Sequence, residues 1–166
     1  MEFKPLRRVN YFTGRLLTAQ DFQDEQDYDI ERHRLHNRCL HGAGVVCGLE
    51  VMVDAAHNRI QVSPGLALDC LGREILLPET SLVSRPALQS VLYLCIRYAE
   101  RGVEPVPAPG GPAQAGDPVQ PGLIESSFEF VFEPSNPFKG HKRRLHMWSA
   151  CGQDHAVPLK RIRLFR

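Results

Sequence analysis

No stretch of this chain approaches the ~18 consecutive apolar residues that a membrane-spanning helix needs. The opening segment, MEFKPLRRVNYF, has no apolar core of the kind a secretory signal carries, so export by that route is not expected. Charge of one sign is not in surplus either: 20 basic against 19 acidic residues leave a net +1, and no global field favours nucleic acid or an anionic membrane. The C-terminal third does lean basic (Lys139, Lys142, Arg143, Arg144, Lys160, Arg161, Arg163, Arg166), and it reads as a solvated face. Neither a GxGxxG fingerprint nor a P-loop occurs, which excludes the two commonest phosphate cradles. There is no internal repeat, heptad run or second domain. Five cysteines (Cys39, Cys47, Cys70, Cys95, Cys151) are an odd number, and without a secretion signal they read as reduced thiols, mostly packed in strands.

A chain of 166 residues fits one domain that buries about two-thirds of its unfolded surface. Residues 1–17 carry Phe3, Leu6, Val9, Tyr11, Phe12, Leu16 and Leu17 without helical periodicity, with a turn at Phe12–Arg15. They read as an extended arm that must bury its apolar side chains against the chain's own body or a neighbour. Thr18 is an N-cap with Asp21 at the capping-box position, and no Gly or Pro interrupts from Ala19 to about Leu40. Residues 18–41 therefore form a long helix of roughly six turns. Its first half is acidic and its second half carries Arg32, Arg34, Arg38, His33, His36 and His41, in keeping with the helix dipole. Gly42 or Gly44 is expected to end it in the left-handed conformation. Its apolar stripes are thin: Phe22, Ile30 and Leu40 on one side, Tyr28, Leu35 and Cys39 on another. Such a helix docks by one narrow face or meets a partner.

Beyond Gly44 the period changes to two. Val45, Cys47, Leu49, Val51 and Val53 alternate, as do Ile60 with Val62; Pro64-Gly65 turns, Leu66–Cys70 follows, and Leu71-Gly72 turns into Glu74–Leu77. These short strands form an antiparallel meander, with Pro78 and Pro86 bounding a connector. Val91–Tyr98 is apolar on both faces and is expected as a central strand. Residues 103–122, with six prolines and four glycines, read as an exposed polyproline-like loop. Phe128, Phe130 and Phe132 alternate in a further strand. Residues 134–156 are irregular, with a helical turn around His141–Ser149, and Val157–Phe165 closes the chain as a strand. The expected class is α+β, mainly β: a small meander or sandwich-like antiparallel domain over 44–166, preceded by leader and helix. Its core is expected to hold Val45, Leu49, Val51, Ile60, Val62, Leu68, Ile75, Leu94, Ile96, Phe128, Phe130 and Ile162.

The tightest cluster of metal-capable residues is His36, Cys39, His41 and Cys47. The residue types suit zinc, but the intervals match no finger or ribbon, and a continuous α-helix puts His36 and His41 about 140° apart. They read as surface histidines and packed cysteines, and no cofactor is expected. Cys151 near His146 or His155 establishes no activated thiol. The acidic run Asp21–Glu31 lacks the glycine of an EF-hand loop and reads as a solvated helix face. No catalytic constellation is recognisable, and the expectation is a protein that is not an enzyme.

The stretches YFTGRLLTAQDFQDEQDY, RLHNRCLHGAGVVCGLEV and IQVSPGLALDCLGREILLP resemble an N-terminal module of uncharacterised proteins encoded beside contractile phage tails and related extracellular injection systems. PGLALDCLGREI also resembles short β-rich attachment modules of baseplate and fibre proteins. The resemblance covers roughly the first hundred residues and transfers no catalytic residue. It implies a structural or adaptor role at the baseplate periphery or a fibre attachment, and partners that are protein subunits of a tail-like assembly, with a homo-oligomer favoured. It also implies assembly in the cytoplasm and a final place in a virion or released particle. A standalone binding module or cargo-associated protein of the same gene cluster is the second reading. Val9, Tyr11, Phe12, Leu16, Leu17, Phe22 and Ile30 are the expected assembly contacts.

Overall fold

The computed structural model describes residues 4–54, 56–86, 91–107, 119–144 and 147–163. The fold is α+β and mainly β, as the alternating patterns indicate. In chain order it runs α1 (Ala19–His36), a π-helical turn (Asn37–His41), β1 (Gly44–Gly48), β2 (Val51–Asp54), β3 (Arg59–Val62), β4 (Gly65–Leu68) and β5 (Glu74–Leu77). It continues with β6 (Ser81–Ser84), β7 (Val91–Pro107), β8 (Val119–Glu133), β9 (Arg143–Arg144), β10 (Met147–Trp148) and β11 (Val157–Arg163). Among the described residues all pairings are antiparallel, in sheets ordered β1-β4-β5, β2-β3-β6 and β11-β7-β8, with a small β9-β10 pair.

Thr18 caps α1 as its sequence position requires. Its hydroxyl accepts from Asp21 N and donates to Asp21 Oδ2, and its backbone N–H donates to the same carboxylate at 2.9 Å. The backbone and then the hydroxyl hydrogen bonds from Thr18 hold the Asp21 carboxyl below its ordinary range. The helix does not run to Leu40 as α-helix. From Asn37 it widens into a π turn closed by Gly42 N–H donating to the Asn37 carbonyl at 2.8 Å. Gly42 ends it with φ 85° and ψ −148°, a positive-φ conformation outside the left-handed helical region that was expected.

The alternation of residues 45–53 is a strand with a corner in it rather than one flat strand. Residues 44–54 and 59–68 form a single long hairpin whose inner half, β2–β3, lies in one sheet and whose outer half, β1–β4, lies in another. Gly48 pairs with Gly65 at the corner, Leu49 N–H donates to the Pro64 carbonyl, and Val51 pairs with Val62. A Cβ on Gly48 would fall 2.0 Å from the Pro64 carbonyl oxygen, so the close crossing depends on paired glycines. Gly48 and Leu49 both have positive φ (60° and 54°), which turns the pleat. A bulge between Val45 and Cys47 shifts the register once more. In consequence Cys47 and Val53 are exposed and only Leu49 and Val51 of the set are buried.

The core joins all three larger sheets. Leu49, Val51, Ile60, Val62, Ile75, Leu94, Ile96 and Ile162 are buried in one cluster, with Val45, Phe128 and Phe130 packed half-buried against it. Leu68 is also buried. The cluster further contains Phe138 and Val157, both fully buried. β7 lies between β8 and β11, and Leu94 and Ile96 lie at its buried centre, which is why Val91–Tyr98 is apolar on both faces.

Three expectations fail. The connector between Pro78 and Pro86 contains β6, whose SLVS sequence is too short to show a period. The segment around His141–Ser149 forms β9 and β10 rather than a helical turn, and Trp148 bridges back to Ala43. At its described residues, 103–107 and 119–122, the Pro/Gly-rich loop is a ribbon: Val103 pairs with Leu123, Pro105 with Pro121 and Pro107 with Val119. Residues 108–118 of that loop lie outside the described residues. Prolines are tolerated there because β11 reaches β7 only as far as Ile96, so the outer ribbon has free edges that need no donor.

Replacing Leu94 or Ile96 by Ala is expected to cost ~2–5 kcal/mol through lost burial and a residual cavity. Urea denaturation of both variants measures it. Losses under about 1 kcal/mol in both would remove the central-strand assignment.

Candidate functional site

Two regions bring chemistry-bearing or partner-seeking side chains together. The first is the leader with α1. Val9 is buried and donates its backbone N–H to Glu25 Oε2 at 3.3 Å, and Arg15 bridges the two elements through the Asn10 carbonyl and an ion pair with Asp21. Leader residues Leu6 and Val9 line a groove together with Tyr28 and Leu35 of α1. The arm thus folds back along its own helix. What it leaves bare is the rest of the expected contact set: Tyr11, Phe12 (64% exposed), Leu16 (86%), Leu17, Phe22 and Ile30. No residue of α1 is buried.

α1 is tied to the β domain at its end. Asn37, just past the last α-helical residue, is buried. Its Nδ2 donates to the Gly72 carbonyl at 3.0 Å and to Glu74 Oε1 at 3.2 Å. The approach needs Gly72 itself, since a Cβ there would lie 2.3 Å from the Arg34 carbonyl oxygen and its φ is +81°. Arg34 adds an ion pair to Glu100 of β7 at 4.0 Å.

Gly72 sits in the turn 69–73 between β4 and β5, built around a buried carboxylate. Asp69 Oδ1 accepts from Leu71 N and Arg73 N, both at 2.9 Å, and Oδ2 accepts from Arg73 Nε at 2.5 Å. Arg73 then pairs with Asp154 and lies over the Tyr98 ring, 4.8 Å from its centroid. Burial alone disfavours the Arg73 charge, but Asp69 and Asp154 outweigh it and raise its pKa above the ordinary guanidinium value.

The same turn carries the second region. Cys70, His141 and Cys151 place their Sγ, imidazole nitrogen and Sγ within 4.8 Å of one another. Cys70 Sγ is 3.6 Å from His141 Nε2, and Cys70 is fully buried. Burial, opposed by a backbone hydrogen bond from Cys151 and reinforced by the Cys151 side chain, pushes the Cys70 thiol up to about 12. The His141 ring lies between Phe138 (5.1 Å) and His155 (5.4 Å, edge-on).

The four residues that spacing suggested for zinc are not gathered. The π turn does bring His36 and His41 together, with Nε2 atoms 3.2 Å apart, because its wider turn superposes residues five apart. Cys39 and Cys47 are exposed, and neither belongs to a group of three ligating side chains among the described residues. The expectation that the cysteines are mostly packed in strands also fails. Cys70 and Cys95 are buried; Cys39, Cys47 and Cys151 are exposed. His146 lies outside the described residues. Sequence reading missed Cys70 and His141 as partners of Cys151 because the three are 71 and 10 residues apart and meet only through the fold.

No protein-family model matches the chain, and no curated protein matches it. Among solved structures, a crystal structure of TssK matches with a TM-score of 0.47 and 12% identity, covering 78% of this chain and 35% of that one. The chain thus spans about a third of the length of that protein. A likeness of this size sets neither family nor role.

Asp69→Ala would strand an inward-facing guanidinium and two backbone donors, and is expected to cost ~3–5 kcal/mol. Asp154→Ala, at an exposed partner of the same arginine, should cost under ~1 kcal/mol. Equal midpoints for the two variants in chemical denaturation would show that the turn is not organised by Asp69.

Proposed function

We propose that this chain is a non-enzymatic structural component of a contractile tail-like particle, an adaptor of the baseplate periphery or fibre attachment, assembling through its leader and helix. The observation that carries the assembly role is a helix of 18 residues with none buried, alongside an arm that exposes Tyr11, Phe12, Leu16 and Leu17. A helix of that length seldom persists on local terms alone; most helical stability comes from packing an apolar face. Here the capping box, the Arg15 bridge and the Asn37 anchor hold the helix in place while Phe22 and Ile30 stay available. Exposed apolar side chains on both the leader and α1 support a protein contact there. The sequence resemblance of residues 9–50 to proteins encoded beside contractile tails supplies the kind of assembly. A cyclic homo-oligomer meeting other tail subunits is the arrangement favoured by the frequency of closed symmetry.

Replacing Phe12, Leu16, Phe22 and Ile30 together by Ser touches only exposed positions and should leave the circular dichroism and unfolding midpoint unchanged. The same variant should lose oligomerisation in light scattering and capture of tail subunits in pull-down. An intact chain that is strictly monomeric and captures no tail subunit sinks the proposal.

A further inference from the structure

The thiol–imidazole cluster at the β4–β5 turn has the composition and spacing of a metal site. A tetrahedral zinc ion with Zn–S ~2.3 Å and Zn–N ~2.0–2.1 Å separates a sulfur from a nitrogen by ~3.6 Å and two sulfurs by ~3.8 Å. Cys70 Sγ and His141 Nε2 already stand 3.6 Å apart, and all three donor atoms fit within 4.8 Å. Closing the widest separation to tetrahedral spacing asks for about 1 Å, within the reach of the exposed Cys151 side chain. We propose that Cys70, His141 and Cys151 bind one zinc-class divalent cation, with the fourth position open to solvent on the Cys151 side.

The surroundings fit that use. Gln153 N–H points at Cys151 Sγ from 3.4 Å, the backbone donor that a metal-bound thiolate sulfur accepts. Gly152 N–H donates to the Cys70 carbonyl at 3.2 Å, so the two cysteine-bearing segments are held together independently of any ion. His141 is fixed on one face by buried Phe138 and at its edge by His155, and Asp154 is tied to Arg73. No carboxylate belongs to the group, and two sulfurs with one imidazole select a soft or borderline cation over magnesium or calcium. Each coordinating thiol gives up its proton to solvent as the Zn–S bond forms.

The site would also do something for the fold. The described residues of 134–156 contain only the two-residue strands β9 and β10, yet they deliver fully buried Phe138 and buried Ala156 to the interior. An ion held by residues 70, 141 and 151 clips that segment to the β4–β5 turn at two points. This is the task a structural metal performs where regular hydrogen bonding is sparse.

The test uses the whole chain, purified without a histidine tag, reduced, stripped with a chelator and titrated with Co²⁺ and then Zn²⁺. One equivalent of Co²⁺ per chain, with thiolate charge-transfer absorption that Zn²⁺ abolishes, is expected. Cys151→Ser and His141→Ala should weaken binding by about tenfold or more, while Cys39→Ser and Cys47→Ser leave it unchanged. Cys151 is exposed, so its variant keeps the fold and remains a fair test even if a Cys70 variant does not. A reduced chain that shows no cobalt–thiolate band, or a band that survives Cys151→Ser, overturns the site. So does a chain that merely closes a Cys70–Cys151 disulfide in air and takes up no metal once reduced.

Discussion

The buried carboxylate of Asp69 is the constraint on which most of this molecule rests. A charge almost fully removed from water must be met by donors, and three are supplied within four residues: Leu71 N, Arg73 N and Arg73 Nε. That requirement fixes the turn between β4 and β5, and the turn fixes four other things. The Gly72 carbonyl faces outward to receive Asn37 and so holds the end of the helix. Arg73 reaches Asp154 and covers Tyr98, tying the C-terminal segment and β7 to the same point. Cys70 is turned inward towards His141. The end of the helix, β7 and the irregular segment are therefore registered against one five-residue loop. The motif LDCLGRE, whose alternation and Leu71-Gly72 step show a turn between two short strands, also encodes these contacts.

Much of the fold was legible because it follows local periodicity. The capping pair Thr18 and Asp21, the apolar run of β7 and the turn at Leu71-Gly72 each announce themselves within a few residues. Departures occur where a second layer of constraint overrides the local one. The run 45–53 alternates correctly, yet the chain must pass from one sheet to another, and the paired glycines 48 and 65 bend it there. In the ribbon, composition suggested a loop because proline lacks a donor, but a two-stranded ribbon has outer positions where a donor is not needed. β6 and the β9–β10 pair are too short to carry a period at all.

The candidate sites divide in the same way. The bare aromatics of the leader and the thin helix stripes could be read directly, since an apolar residue without a periodic partner is visible in the sequence. Cys70, His141 and Cys151 could not be. Metal spacing rules describe ligands that are neighbours along a chain, and here Cys70 is 71 residues from His141 and meets it through tertiary contacts. Conversely, the cluster His36, Cys39, His41 and Cys47 was near in sequence but dispersed in space. Only its two histidines meet, through a π turn whose existence no local pattern signalled.

The ribbon of β7 and β8 has a consequence for how the molecule behaves in company. Past the reach of β11 it is two strands whose outer edges have no strand partner among the described residues, the geometry that invites another chain to add a strand. Pro105, Pro107 and Pro121 are spaced along it, each removing a main-chain donor from the paired stretch. A foreign strand laid along either edge would meet gaps in its hydrogen-bond ladder and gain little. The ribbon can therefore leave Leu123 and Ile124 exposed without inviting indiscriminate backbone pairing.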